Sequence, residues 1–354
     1  MTQNRKLIFT GGFLGAGKTT LLAAAATRLV AKGHRVGLVT NDQVSGLVDT
    51  ILLVRNEAEV AEVSGSCFCC NYWGMVQAIT SLEADVILAE PVGSCTDLAA
   101  TIIEPLRART GLEADVAPLS VLVDPSRVAS DMHSASEYIY LKQLEEADYI
   151  LITKCDTLSA EKIAALREQY QSRYPEARIF VTSAKTGEGL DEWLEVVLKE
   201  SSSGGRIVPV DYDIYAEGEA VLGWLNATYD LASSQDTDWT ATAQGFLETV
   251  VAGCVAKNAP IGHIKLAMEK DGDLLVANVT ASDASPELRG EISGSKSARL
   301  TFNARAQMSP DDLDALVGES IQKVCGDNIT ATLIEKKCIS PGRPTPTFRV
   351  QPES

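Results

Sequence analysis

Residues 12–19, Gly-Phe-Leu-Gly-Ala-Gly-Lys-Thr, constrain the fold of this chain more than any other stretch. They follow an apolar run at 6–10 and open an Ala-rich run at 18–31 that Gly33 ends. Glycines at 12, 15 and 17 let the backbone wrap tightly, so that successive N–H groups point at one centre beside a helix start. The G-x-x-x-x-G-K-[ST] spacing therefore predicts a loop for nucleotide phosphates, to which Ala16 and Thr20 also belong. Lys18 is placed to reach the β/γ-phosphates, and the Thr19 hydroxyl to bind Mg²⁺.

A strand–loop–helix opening of this kind predicts an α/β domain, and the pattern continues. Short apolar runs at 36–40, 86–89, 120–123, 149–153 and 178–182 read as strands of a mostly parallel sheet. Helical runs follow at 97–109, 136–146, 160–174 and 190–199. The Ser/Gly run 201–205 closes the rhythm, so the first domain is expected over 1–203 and a linker over 204–214. Beyond it, 220–230, 262–269, 274–280, 298–305 and 329–336 read as strands and 240–256 and 309–325 as helices, with a hairpin turn at Lys270-Asp271-Gly272-Asp273. That order predicts a smaller α+β domain of ferredoxin-like type over 215–340, followed by a Pro-rich tail, 341–354, expected to be extended or disordered.

Charge narrows the partners. Lys and Arg number 31 against 48 Asp and Glu, a formal net charge of −17, which repels nucleic-acid backbones and anionic lipid. Neither nucleic acid nor membrane is an expected partner. Arg5-Lys6 and the run 7–16 imitate a secretory signal, yet Lys18 and two glycine pairs interrupt it, and no stretch reaches the ~20 apolar residues of a membrane span. Eight cysteines are too sparse for a disulfide scaffold, and three crowd into Cys67, Cys69 and Cys70, which suits a reduced cytoplasm.

The base is read from two later loops. Thr153-Lys154-Cys155-Asp156 follows the strand at 149–152, where a carboxylate accepts both the ring N–H and the exocyclic amine of guanine. Adenine offers no such pair of donors. Ser183-Ala184-Lys185 follows the next strand, the place for a loop that gives a backbone N–H to guanine O6.

Cys67-Phe68-Cys69-Cys70 lies between a short strand at 59–63 and a helical run at 72–82. Thiolates bind Zn²⁺, Co²⁺ or Cu⁺ well, but neighbouring residues face one ion only if the chain bends, so two of the three are expected as ligands. Cys95 is a further candidate. A thiol redox pair and simple burial are the competing readings.

Taken together, Gly11 to Thr20, Thr40-Asn41-Asp42, the cysteine cluster, Glu90-Pro91-Val92-Gly93, Thr153 to Asp156 and Ser183 to Lys185 resemble a CobW-type member of the CobW/HypB/UreG group of P-loop GTPases. Many of that group serve metal delivery or metallocentre assembly. The resemblance spans the first domain. It implies that Glu90 belongs to the magnesium and switch region, that Gly93 is free to change its peptide as the γ-phosphate comes and goes, and that Asp42 positions water or a metal. Two segments depart from the family pattern. Thr153 stands where Asn is commoner, an expected weakening of a side-chain contact to base or loop, and Asn71-Tyr72-Trp73-Gly74 stands where an Arg-containing segment is usual.

The resemblance thus implies a cytoplasmic GTPase using GTP, Mg²⁺ and a thiophilic metal, Zn²⁺ or Co²⁺. Its catalytic group is Lys18, Thr19, Asp42 and Glu90, and its partner a client metalloenzyme or cofactor-assembly protein; the sequence leaves the oligomeric state open, a homodimer being one option. The alternatives are a GTP-dependent activator of a metallo- or cobalamin enzyme that carries no metal, and an ATP-using P-loop kinase.

Overall fold

The computed structural model describes residues 5–42, 48, 51, 58–109, 114–126, 132–202, 205–282 and 286–351. The boundary expected at Ser203–Gly204 lies outside the described residues. The chain divides into two compact units: Met1–Gln43, Leu52–Gly218 and Arg343–Ser354 make the first, Val44–Ile51 and Glu219–Gly342 the second. The stretch 343–354, read from sequence as part of a separate tail, thus belongs to the first unit.

In the first unit the strands are β1 (Arg5–Gly12), β2 (Val36–Asp42), β3 (Glu59–Ser64), β4 (Val86–Glu90), β5 (Ala114–Val116), β6 (Ser120–Val123), β7 (Tyr149–Ile152) and β8 (Arg178–Val181). Their order is β3-β2-β4-β1-β6-β7-β8, with β5 beside the first half of β1, and every pairing is parallel. Helices α1 (Lys18–Ala31), α2 (Tyr72–Ser81), α3 (Glu104–Arg109), α4 (Ser134–Glu145) and α5 (Ala160–Arg173) lie in the crossovers, and α6 (Leu190–Lys199) follows the last strand. Parallel strands buried on both faces must be apolar throughout, which is why β7 is an unbroken Tyr-Ile-Leu-Ile. Leu22, Ala25 and Leu29 of α1 join Ile8, Leu88, Leu151 and Trp193 in one core.

A parallel sheet gathers its carboxyl-terminal strand ends along one edge, where ligands of such folds sit. Here that edge collects Gly12, Asp42, Glu90, Asp124, Thr153 and Thr182 from six strands. The helix expected over 97–109 is shorter: Asp97 adopts a left-handed φ of 65°, and a π-turn, Ala99–Ile103, leads into α3.

The second unit holds β9 (Gly223–Thr237), α8 (Trp239–Ala256), β10 (Ile261–Lys270), β11 (Asp273–Val279), β12 (Glu287–Arg289), β13 (Ser295–Ala306), α9 (Pro310–Cys325) and β14 (Ile329–Ile339). Its antiparallel order is β12-β11-β10-β13-β9-β14. Without the β11–β12 extension, β14-β9-β13-β10 with a helix after β9 and another after β13 is the ferredoxin-like arrangement. The β10–β11 hairpin turns at Asp271 and Gly272, both at positive φ, as a two-residue turn requires. Ser309 caps α9 through Asp312 N, with Pro310 in its first turn. The stretch expected as a linker ends in a helix, α7 (Tyr212–Ala220).

Candidate nucleotide site and cysteine cluster

The phosphate loop is shaped by positive φ angles of 130°, 78° and 93° at Gly12, Gly15 and Gly17. A Cβ on Gly12 would stand 2.6 Å from Leu122 O, so only glycine lets β1 pass β6 there. Lys18 is buried and donates from Nζ to Gly12 O at 2.8 Å, which holds the cation against the loop. Ala16 is buried, and Thr20 is half-buried in the first turn of α1. Thr19 donates from Oγ1 to Glu90 Oε1 at 3.0 Å, and both residues are buried. Two hard oxygen donors side by side beside a phosphate loop suit Mg²⁺.

Glu90 ends β4 and begins a segment that returns to the loop. At Gly93 a Cβ would lie 2.8 Å from Leu14 Cδ2 and 3.0 Å from Lys18 Nζ, so this approach requires the missing side chain. Asp42 is buried at the end of β2, two residues beyond Thr40, which pairs with Glu90 across the β2–β4 ladder.

The two loops expected to read the base adjoin because β7 and β8 are neighbours. Asp156 is exposed, and its Oδ1 accepts the Ser183 hydroxyl at 2.6 Å, while Ser183 Oγ accepts from Thr186 N at 3.1 Å. Ala184 is half-buried and Lys185 exposed in the same loop. Lys154 sits at a left-handed φ of 56° and pairs with Asp124 Oδ2 at 2.6 Å. Burial raises the Asp124 pKa, but the Lys154 ammonium and Ser126 outweigh it and hold the carboxyl below its ordinary value. Thr153 retains the contact to the phosphate loop that its departure from Asn put in question: its Oγ1 lies 3.0 Å from Ala16 O and 3.0 Å from Val123 O, donating to one at a time.

The cysteines are gathered by Asn41. Its Nδ2 donates to Val63 O and Ser66 O, each at 2.8 Å, and its Oδ1 accepts Phe68 N at 2.8 Å, so one amide fixes the loop's entry. Cys70 N and Asn71 N then both donate to Cys67 O, at 3.1 and 2.9 Å, and close a turn. Asn71 caps α2 through Gly74 N. The turn supplies the bend that consecutive ligands need: where two converging thiols were expected, the sulfurs of Cys67, Cys69 and Cys70 all lie within 4.8 Å of one another. Cys67 Sγ and Cys69 Sγ are 3.0 Å apart. Hydrogen bonds from Cys69, Cys70 and Cys95 hold the Cys67 thiol well below its ordinary pKa. The complementary proton stays on its neighbours: the contact with Cys67 lifts Cys69 far up and Cys70 to about 11. Three converging soft sulfur donors suit Zn²⁺ or Co²⁺.

Asn41 and Asp124 were assigned no role from sequence. A signal existed for Asp124, a carboxylate directly after a buried strand, the same placement that marked Glu90 and Asp42. Asn41 stands in the Thr40-Asn41-Asp42 motif, but its three hydrogen bonds to backbone more than twenty residues away leave no local pattern that would give its role.

Residues 6–181 match the family model described as CobW/HypB/UreG, nucleotide-binding domain. The chain is 30% identical over 174 residues to the zinc chaperone YeiR of Escherichia coli, covering 45% of this chain and 49% of that protein. It is 26% identical over 208 residues to zinc-regulated GTPase metalloprotein activator 1 of Dictyostelium discoideum, covering 48% and 43%. The chain thus spans about half the length of these curated relatives. Among solved structures, HypB from Helicobacter pylori in complex with nickel aligns with a TM-score of 0.42 and 19% identity over 57% of this chain and 91% of that one. The Zn(II)-bound YjiA GTPase of E. coli aligns with a TM-score of 0.33 and 14% identity over 89% and 98%. Among the described residues, no helix is long and apolar enough to cross a membrane.

Proposed function

We propose, on the premise that residues 6–181 are a nucleotide-binding domain of the CobW/HypB/UreG family, that this chain is a Mg²⁺-dependent GTPase. It couples GTP binding and hydrolysis to loading and release of Zn²⁺ or Co²⁺, as cargo for a client metalloprotein. The observation that carries this reading is a single short segment, 90–95. Glu90 meets Thr19, Gly93 abuts Lys18, and Cys95 meets Cys67, so one stretch of backbone spans from phosphate loop to thiols. The relatives' names, zinc chaperone and zinc-regulated activator, support a thiophilic cargo.

The reaction is hydrolysis of the β–γ phosphoanhydride by water. Glycine-loop N–H groups and Lys18 position the phosphates and offset their charge, which supplies most of the acceleration in reactions of this class. Thr19 and Glu90 would hold Mg²⁺, which would supply charge neutralisation for the phosphates. Asp42, at the same sheet edge, orients the attacking water, while Asp156 selects guanine.

Anaerobic titration of the full chain with Zn²⁺ or Co²⁺ against a chelator, in Mg²⁺-GTP and in Mg²⁺-GDP, tests the proposal. We expect tighter binding with GTP by ~5- to 150-fold, the range of a ~1 to 3 kcal/mol coupling, and the same factor of GTP over GDP when metal is present. Replacing Cys67 and Cys70 with Ser abolishes the difference while GTP still binds. Equal affinity in both states refutes delivery, and absence of stoichiometric metal favours an activator without cargo.

A further inference from the structure

We infer that the carboxy-terminal segment 343–351 is a working part of the cysteine site: a strap over Cys70, latched by Arg349 on Asp97, whose lifting gates exchange of the thiol-bound metal. The inference rests on the proposed metal role of the cluster and adds to it a segment that no spacing in the sequence connects with it.

Pro344 and Pro346 flank Thr345, and prolines favour an extended chain and carry no N–H. The amides that remain are those of Thr345 and Thr347, and both turn to the cysteine loop. Thr345 N donates to Cys70 Sγ at 3.1 Å, a bond between residues 275 apart in sequence. Thr347 N donates to Cys69 O at 2.8 Å, and its Oγ1 to Cys70 O at 3.1 Å. The next residue, Phe348, stands edge-on to Tyr72 at 5.0 Å and to Trp73 at 5.8 Å. Tyr72 and Trp73 belong to the segment that departs from the family pattern, and here they form the platform for the strap.

The far end is fastened by charge. Arg349 Nε lies 2.6 Å from Asp97 Oδ2, which also accepts the Tyr212 hydroxyl at 2.8 Å. The Asp97 side chain is 1% exposed, and burial pushes its pKa up against the pull of Arg349, so this cation compensates an otherwise costly buried carboxylate. Val350 N donates to Ala100 O at 3.0 Å, and Arg343 pairs with Asp213 at the near end.

Two consequences follow from the geometry. An N–H donated to a thiolate orients that ligand and lowers its basicity, so Thr345 is a positioning residue of the site. The strap also joins Cys70 to Asp97, seven residues beyond Glu90 on the segment that reaches the phosphate loop, so movement of that segment acts on the latch.

The test uses the full chain as Arg349→Ala, Phe348→Ala and Arg349→Lys. In metal-free reduced protein, alkylation by iodoacetamide is followed at each cysteine by mass spectrometry, with half-buried Cys338 of the other unit as reference. Loss of a charge-assisted bond predicts roughly 10- to 100-fold faster alkylation of Cys70 in Arg349→Ala and an intermediate rate in Arg349→Lys, loss of the ring contacts predicts faster alkylation in Phe348→Ala, and Cys338 is unchanged in all three. In Co²⁺-loaded protein, the Ala variants release metal to a chelator faster, followed by loss of the thiolate–cobalt absorption. An unchanged Cys70 rate in both Ala variants overturns the strap. Faster alkylation with unchanged Co²⁺ release overturns the gate. Failure of the wild-type cluster to take up Co²⁺ overturns the metal reading and the gate with it, while the alkylation rates still report the cover.

Discussion

Asp156, proposed to select the base, has a neighbour that constrains any substitute. The Ser183 hydroxyl donates to Oδ1, so an amide at 156 keeps its oxygen toward Ser183 and presents its NH₂ outward. That NH₂ suits the oxygen that replaces the exocyclic amine in xanthine. Asp156→Asn is therefore expected to lose GTP affinity by roughly 10- to 100-fold, the range of a charge-assisted hydrogen bond, and to gain affinity for xanthosine triphosphate. Competition among GTP, ATP and the xanthine nucleotide measures it; an unchanged preference for GTP means that the base is read elsewhere. The placement of Asp156 after β7, beside the Ser183 loop, was legible because a strand-end carboxylate has a recognisable local pattern. Asp124, which holds the adjacent Lys154, has the same pattern, but its role depends on a salt bridge between β6 and β7 loops that only folding creates.

Among the elements, the segment after β4 carries the most consequence because at Gly93 it has no room for a side chain. A methyl at Gly93 would press on Leu14 Cδ2 and Lys18 Nζ, and overpacking of this kind costs ~1 to 3 kcal/mol. Gly93→Ala should therefore lower the melting temperature by a few degrees and, because the added methyl presses on Lys18 Nζ, lower GTP turnover about tenfold or more. Single-turnover hydrolysis beside a thermal melt checks it, and wild-type turnover would show that Gly93 does not move against the loop. Strands and most helices of this unit were readable from periodicity and caps. The start of the helix expected at 97 was not, since Asp97 is held in a left-handed conformation with its carboxylate on Arg349 and Tyr212, partners outside any local window.

For the whole molecule, Glu146 ties stability to pH. Just past α4, it is fully buried, and accepts Thr96 Oγ1 and Ala99 N at 3.0 Å each. Burial first, and then the nearby Asp97 carboxylate, push its pKa up to about 8, although the Ala99 and Thr96 bonds pull the other way. An unfolded glutamate titrates near ~4.3, so between that value and the native one the folded chain holds a proton that the unfolded chain has lost. Stability from this group is complete below the unfolded value and declines as pH rises through the window, by at most ~1.4 kcal/mol per pH unit. Glu146→Gln removes the titration and should flatten the fall in melting temperature between pH 6 and 8; equal slopes in variant and wild type would sink the assignment.

What the sequence alone determined is what short-range pattern encodes. Gly12 to Thr19 between strand and helix, Thr153 to Asp156 and Ser183 to Lys185 at successive strand ends, and three clustered cysteines each carry their meaning within a few residues. The ferredoxin-like order was also legible, because alternation and helical spacing persist over whole elements. The tertiary structure decided the rest: that Asn41 shapes the cysteine loop, that all three thiols converge, and that Thr345 and Arg349 reach Cys70 and Asp97. Each of these is a single hydrogen bond or ion pair between distant residues. Such contacts leave no periodicity behind, and only the folded backbone brings their partners together.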